Sequence, residues 1–120
     1  MKNLKMLLLL LLIVPMFLMD CTSIETVKYD EVERTPKSED YEIAVYTEAG
    51  VPREYKVIGE VRMEAYSGNS KEGIIKSLKS EARKIGADAI VDIRQVEMEN
   101  QMIQRWEAKA IVWTDKESTN

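Results

Sequence analysis

The residue types in this chain leave few ways to perform covalent chemistry. The sequence has 120 residues, no histidine and one cysteine, so a nucleophile and base pair would need a serine with a lysine. Serine and lysine do occur side by side, at positions 76–77 and 79–80. Adjacent residues of the helix predicted there do not face each other. We therefore predict no catalytic residue of this kind.

Carboxylates offer the strongest alternative chemistry. Glu60, Glu64 and Asp92 project from predicted strands, and a pair of carboxylates can hydrolyse a glycosidic bond. These positions alternate with apolar ones, as the solvated face of a strand does, so we favour a surface role for them. A carboxylate-dependent enzyme acting on envelope glycans is the alternative.

Cys21 has the surroundings that point most clearly to a chemical modification. Lys2 and Lys5 precede an apolar run from Met6 to Met19, and the cysteine follows at once. A basic start, a short apolar run and a break in hydrophobicity are typical of a bacterial secretory signal, which we place at residues 1–20. As a helix the run spans only ~21 Å, less than the ~30 Å hydrocarbon core, which disfavours a membrane-spanning segment.

Residues 18–21 resemble the recognition sequence of bacterial lipoproteins, the lipobox. Leu18 and Cys21 match that pattern, whereas Met19 and Asp20 depart from it. The resemblance implies cleavage before Cys21 and acylation of its thiol and its new amine, which would hold the protein on a membrane. The other interpretation is a free thiol beside an uncleaved anchor or a nonspecific signal.

Composition disfavours several other classes of function. The formal net charge is −4, and it becomes −5 when residues 1–20 are removed, because two lysines and one aspartate leave with them. A chain with no basic stripe is a poor partner for nucleic acid. If Cys21 carries lipid, only oxygen ligands remain, and neither an Asp-rich calcium loop nor a glycine-rich phosphate loop is visible. We expect no metal, no cofactor and no nucleic-acid partner.

Beyond the cysteine, the hydrophobic pattern predicts one small domain. Residues 21–40 are charged and lack periodic apolar positions, so we expect a lipidated flexible tether with a reach of ~25 Å. The alternative is an edge strand built on the apolar residues of this segment, Ile24, Val27 and Tyr29. We expect the folded domain at residues 41–114 and a disordered tail at 115–120.

Alternation of apolar residues predicts four strands, at 41–47, 55–66, 89–96 and 103–113. Glycine and proline between the first two strands predict a hairpin. Between the second and third, Asn69 is a candidate helix N-cap and Gly86 a candidate C-terminal residue in the left-handed conformation. The order strand, strand, helix, strand, strand predicts an α+β fold. In it, one helix packs on one face of a mainly antiparallel sheet of about four strands.

One face of such a sheet is left without a helix. Trp106 and Trp113 are an odd number of residues apart, so an unbulged strand places them on opposite faces. The residues that we predict on the helix-free face form a candidate interface, Ile58, Ile90, Arg94, Ile111 and Trp113. Exposed apolar patches rimmed by charge mark interaction sites, so we expect a second copy or an envelope protein to cover this face.

The segment from Leu78 to Arg94, in which a helix ends at a glycine before an apolar strand, resembles a segment of two bacterial families. One is the YbjQ-like family, and the other is the family of the Rcs stress-sensor outer-membrane lipoprotein. The similarity extends over roughly residues 57–112. It implies an oligomeric or partner-binding α+β module and, for the lipoprotein relatives, envelope-stress sensing. The domain of that sensor uses disulfides, for which this chain has no second cysteine.

Taken together, these features predict a non-enzymatic envelope lipoprotein. Its small domain is expected to bind itself or another protein, or to sense envelope stress, and a purely structural role is a further alternative. Thr22, the residue after the cysteine, resembles the sorting signal for the outer membrane, with the domain facing the periplasm.

Overall fold

The computed structural model describes residues 23–66, 68–99 and 102–115. It is an α+β fold in which one helix packs on a mainly antiparallel sheet, as expected, but one pair of strands is parallel and the sheet is therefore mixed. The sheet has five strands instead of about four, in the spatial order β1-β3-β5-β4-β2. The elements are β1 (Ser23–Lys28), β2 (Ala44–Tyr46), a short 3-10 turn (Glu48–Gly50), β3 (Tyr55–Tyr66), α1 (Lys71–Lys84), β4 (Ala89–Val96) and β5 (Ile103–Trp113).

The fifth strand, β1, comes from the segment predicted to be a flexible tether. It pairs antiparallel with β3 along its whole length, from Ser23 opposite Glu64 to Lys28 opposite Gly59. The prediction of a flexible tether over residues 21–40 is therefore wrong for residues 23–28, where the alternative of an edge strand is correct. Backbone hydrogen bonds to a long neighbouring strand stabilise a segment whose composition is polar.

The chain after β1 is also held in place. The N–H of Lys37 donates to the carbonyl of Arg83 at 2.8 Å. Arg34 donates two hydrogen bonds to Asp30, at 2.9 and 3.0 Å, and these hold the pKa of that carboxyl well below its usual range. Residues 1–22, with the signal and Cys21, and residues 116–120 of the predicted tail lie outside the described residues.

The predicted hairpin between the first two predicted strands does not form. β2 has three residues and pairs parallel with β4, whereas β3 pairs with β1 on one side and β5 on the other. The pairing of β3 with β5 covers almost the full length of both strands. Because each strand has only two edges, these partners leave no edge of β3 for β2.

The helix and its two ends lie close to the positions that local sequence signals predict. Ser70 is the N-cap in place of the predicted Asn69, and its hydroxyl accepts from the N–H of Gly73 at 3.1 Å. Gly86 has φ +78, as predicted for a residue that ends a helix. A cluster of buried residues lies between α1 and the sheet: Ile43, Ile58, Val61, Met63, Ala65, Ile74, Leu78, Ala82, Ala87, Ile90, Ala108 and Ala110.

Two β-bulges decide which residues face this core. One lies in β3 between Val57 and Gly59, and the other lies in β4 after Val91, where Asp92 has φ +64. An extra residue in a strand reverses the faces of the residues beyond it. In β3 the bulge brings Ile58 to the same side as Val61.

The prediction that Ile58 and Ile90 lie on the helix-free face is therefore wrong. Both are on the helix side, with exposed fractions of 1% and 0%. Trp106 packs against the core under the helix and Trp113 packs on the other side of the sheet, as predicted.

Candidate functional site

The helix-free face of the sheet is the candidate functional surface, and it divides into an apolar end and a charged end. At the apolar end Ala89, Val91 and Ile111 are at most 1% exposed. Partly buried neighbours pack against these three, namely Ala44, Tyr46, Val51, Tyr55, Val57 and Trp113. The loop after β2 contributes Val51, so the chain itself covers much of the apolar area that we expected a partner to cover.

Trp113 lies at the rim of the apolar end and contacts two other side chains there. Its ring meets that of Tyr46 edge to face, with the centroids 6.0 Å apart. The guanidinium of Arg53 lies 4.7 Å from the centre of the Trp113 ring and pairs with Asp115 at 2.8 Å. This pairing lowers the pKa of Asp115. Asp115, which we predicted to begin the disordered tail, is thus held against the domain.

At the charged end, Glu107 of β5 is the central residue. It is 8% exposed, and three arginines contact it: Arg62 of β3 at 3.2 Å, Arg94 of β4 at 3.3 Å and Arg105 of β5 at 3.2 Å. Register explains the arrangement, because Arg62 and Arg94 lie directly opposite Glu107 on the two neighbouring strands. Cross-strand pairs of opposite charge stabilise a sheet.

Glu60 extends this network toward β1. It is 9% exposed, accepts a hydrogen bond from the Tyr29 hydroxyl at 3.0 Å and lies 3.3 Å from Nε of Arg62. Burial alone would raise the pKa of Glu60, but the hydrogen bonds from Tyr29 and Arg62 outweigh it and the pKa is lowered. The same hydrogen bond to Glu60 raises the pKa of the Tyr29 hydroxyl. Glu60 is thus an ionised, fully engaged carboxylate at neutral pH.

The charged end should contribute to stability. Replacing Glu107 by glutamine removes the carboxylate that three guanidinium groups contact, although Arg62 keeps its contact with Glu60, and we expect the free energy of unfolding to fall by about 2 kcal/mol. This is less than for a fully buried pair, because the arginine side chains are 27–54% exposed and solvent screens them. Chemical denaturation of the purified protein measures the change.

Glu64 provides the matched control, since it lies on the same face of β3 and makes none of the described ion pairs. The Glu64→Gln variant should unfold at nearly the wild-type denaturant concentration. Equal losses for the two variants would show that the network around Glu107 adds nothing specific.

The five residues of the predicted interface do not form one patch. Ile58 and Ile90 belong to the main core and Ile111 is buried at the apolar end. Arg94 and Trp113 do lie on the helix-free face. However, Trp113 is six positions along β5 from Glu107, the residue opposite Arg94, which is a distance of ~20 Å. The structure thus leaves Arg94 as an exposed charged group at one end and Trp113 as a partly buried ring at the other.

Sequence reasoning missed the residues that connect this surface. Alternation along β5 puts Glu107 on the same face as Trp113, but nothing in the sequence indicates that it meets arginines from three different positions. Tyr29 was assigned to a tether, although it was also among the residues of the alternative edge strand. Strand register supplies the missing information, and alternation within one strand does not contain it.

The arrangement does not resemble a hydrolytic site. The general acid of a glycosidase needs a raised pKa, whereas the pKa of Glu60 is lowered. A crevice lies beside it, too small for a water molecule and lined by Glu60, Asp92, Arg94, Glu107, Ala108 and Lys109. Among residues 23–66, 68–99 and 102–115, no group of three or more histidine, cysteine, aspartate or glutamate side chains is placed to hold a metal ion.

No helix within those same three ranges has both the length and the apolar character needed to cross a membrane. No family model matches the sequence, and no curated protein matches it. Among solved structures, the crystal structure of a Francisella virulence factor, FvfA, is similar to this chain, with a TM-score of 0.55 and 19% sequence identity. The match covers 74% of this chain and 96% of that chain. At this identity the likeness concerns the fold alone.

Proposed function

We propose that this protein is a bacterial envelope lipoprotein, anchored through acyl chains on Cys21, whose α+β domain binds another protein without catalysing a reaction. One observation supports the proposed lipid anchor: the signal-like segment ends at Cys21, and β1 begins at Ser23. Cleavage before Cys21 would remove the apolar run and leave every residue of β1 in the mature chain. The residue after the cysteine, Thr22, supports an outer-membrane location facing the periplasm.

The charged end of the helix-free face supports binding in preference to catalysis. Its two buried carboxylates already have arginine or tyrosine partners, so neither Glu60 nor Glu107 is a free acid or base. Arg94 is the most exposed of the three arginines around Glu107, with 54% of its side chain exposed. A guanidinium that is exposed yet held by Glu107 at one nitrogen can still donate hydrogen bonds to a partner.

The partner is most simply a different envelope protein. Permanent homodimers usually bury a large apolar area, and the apolar residues of this face are already buried within the chain. The exposed surface of the helix-free face is mainly charged and polar, which suits a reversible complex. Envelope-stress sensing, which the resemblance to the Rcs lipoprotein family implies, is one form that such binding could take.

A photoreactive amino acid introduced at position 94, followed by irradiation of intact cells, tests the binding proposal. We expect one crosslinked product, containing a second envelope protein, from position 94. The control is position 76, because Lys76 lies on the exposed side of α1. Products of twice the subunit mass would show self-association instead. Crosslinking at position 94 that is absent, or no stronger than at position 76, would contradict binding through this face and favour the purely structural alternative.

A further inference from the structure

The distance between the lipidation site and the folded domain is short. β1 begins two residues after Cys21, and two residues of extended chain cover at most ~7 Å. This replaces the ~25 Å stand-off that a flexible segment of 19 residues would have given. If Cys21 carries acyl chains, the part of the domain next to Ser23 must therefore lie at the level of the lipid headgroups.

Strand register identifies that part of the domain. Ser23 lies opposite Glu64, near the end of β3, and Tyr66 at the end of β3 lies opposite Ile103 at the start of β5. β4 ends beside the same region, with Val96 opposite Arg105. We call this region the anchor end of the sheet. With strands ~4.8 Å apart, these residues lie within ~15 Å of Ser23.

Half of the exposed large hydrophobic side chains among the described residues lie at the anchor end. Six large hydrophobic residues are exposed in the described part of the chain, and three of them belong here: Ile24 at 44%, Tyr66 at 48% and Met102 at 67%. Met102, which immediately precedes β5, is the most exposed of the six. In the loop that follows β4, Met98 is half-buried.

We propose that the anchor end of the sheet is a membrane-contact surface, in which Tyr66 and Met102 insert among lipid headgroups beside the acylated Cys21. The inference rests on the lipoprotein function proposed above and adds a fixed orientation, with the helix-free face perpendicular to the bilayer. Tyrosine suits the membrane interface because its ring is apolar and its hydroxyl is polar. Methionine is flexible enough to fit an irregular lipid surface.

The contact should be apolar and not electrostatic. Charges of both signs occur at the anchor end: Glu64 lies opposite Arg105, Glu97 and Glu99 follow β4, and Lys71 begins α1. No basic cluster is present among the described residues there to attract anionic lipids. We therefore expect the contact to be insensitive to salt, which screens charges but does not weaken apolar burial.

The experiment uses the acylated protein with cysteine in place of Met102. Acylation blocks the Cys21 thiol, so the introduced cysteine is the sole free thiol and can carry a fluorophore. The protein is reconstituted into vesicles of phosphatidylethanolamine and phosphatidylglycerol that contain a nitroxide-labelled headgroup. The matched control is Thr114→Cys, just past the opposite end of β5 and ~40 Å away along the strand. We expect quenching at position 102 to exceed that at position 114 several-fold, at low and high salt alike.

The outcomes separate this inference from the proposed function. Equal quenching at positions 102 and 114 in a protein whose intact mass includes the acyl chains would overturn the membrane-contact surface and leave the lipoprotein proposal standing. An intact mass without acyl chains, together with labelling of Cys21, would overturn both. Quenching at position 102 that disappears in high salt would overturn the apolar nature of the contact.

Discussion

Replacing Cys21 with alanine should release the protein from membranes or leave it as an unprocessed precursor. The lipoprotein signal requires a cysteine at the cut, because the thiol receives the first acyl chains. Each buried methylene of an acyl chain contributes ~0.8 kcal/mol, and two or more chains anchor a protein far more stably than one. The expected change is therefore from nearly complete membrane association to nearly complete loss of the mature, membrane-bound form. Cell fractionation and intact mass of the extracted protein measure it.

A matched control for this variant is Ser23→Ala, two positions further on. Ser23 is exposed and contributes backbone pairing to β1, which alanine retains. That variant should be cleaved, acylated and retained as the wild type is. Wild-type protein whose mass includes Met1 and lacks any acyl chain would refute the anchor, as would normal membrane retention of a correctly cleaved Cys21→Ala protein.

Replacing Gly59 with alanine should lower the free energy of unfolding by about 2 kcal/mol, the usual cost of overpacking a tight site. A Cβ at position 59 would stand 2.5 Å from the backbone carbonyl oxygen of Val27 in β1. A backbone atom cannot move aside as the end of a flexible side chain can, so β1 must separate from β3. Chemical denaturation measures the total loss. Hydrogen exchange should show that the amides of β1 lose protection first.

Gly68 allows a matched comparison with the same substitution. An added Cβ there meets no atom within 4 Å, so Gly68→Ala should unfold like the wild type. If Gly59→Ala were equally harmless, β1 would not be packed as tightly against β3 as the structure has it. If Cys21 carries the proposed anchor, β1 joins that anchor to the domain, and loosening β1 should also reduce the lipid quenching expected at position 102.

The two carboxyl-terminal strands and the helix were predictable because their signals are local. β4 and β5 occupy the predicted residues, 89–96 and 103–113. α1 ends at Lys84, and the predicted Gly86 follows two residues later with a positive φ that favours glycine over any residue with a Cβ. Ala108 and Ala110 alternate in step with Trp106 along β5 and lie under the helix, where small side chains let α1 pack closely.

The candidate surface was much less predictable. Alternation assigned Ile58 to the helix-free face, but the bulge beside Gly59 turns it into the core. Arg94 lies on the helix-free face, as predicted. The grouping of Arg62, Arg94 and Arg105 around Glu107 depends instead on the register of separate strands. A bulge costs little free energy within one strand, and packing against the neighbouring strands decides where it forms. The hydrophobic periodicity of a single strand therefore gives little indication of it.

The sequence by itself determined the features that depend on a few consecutive residues: the signal-like segment up to Cys21, the helix with its glycine end, and the opposite faces of Trp106 and Trp113. Only the tertiary structure decided that residues 23–28 form a strand and that β2 pairs in parallel with β4. Both outcomes depend on which strand edges remain available once β3 and β5 have paired. The strand pairing is set by hydrogen bonds between residues that are far apart in the chain, so no short stretch of sequence can predict it.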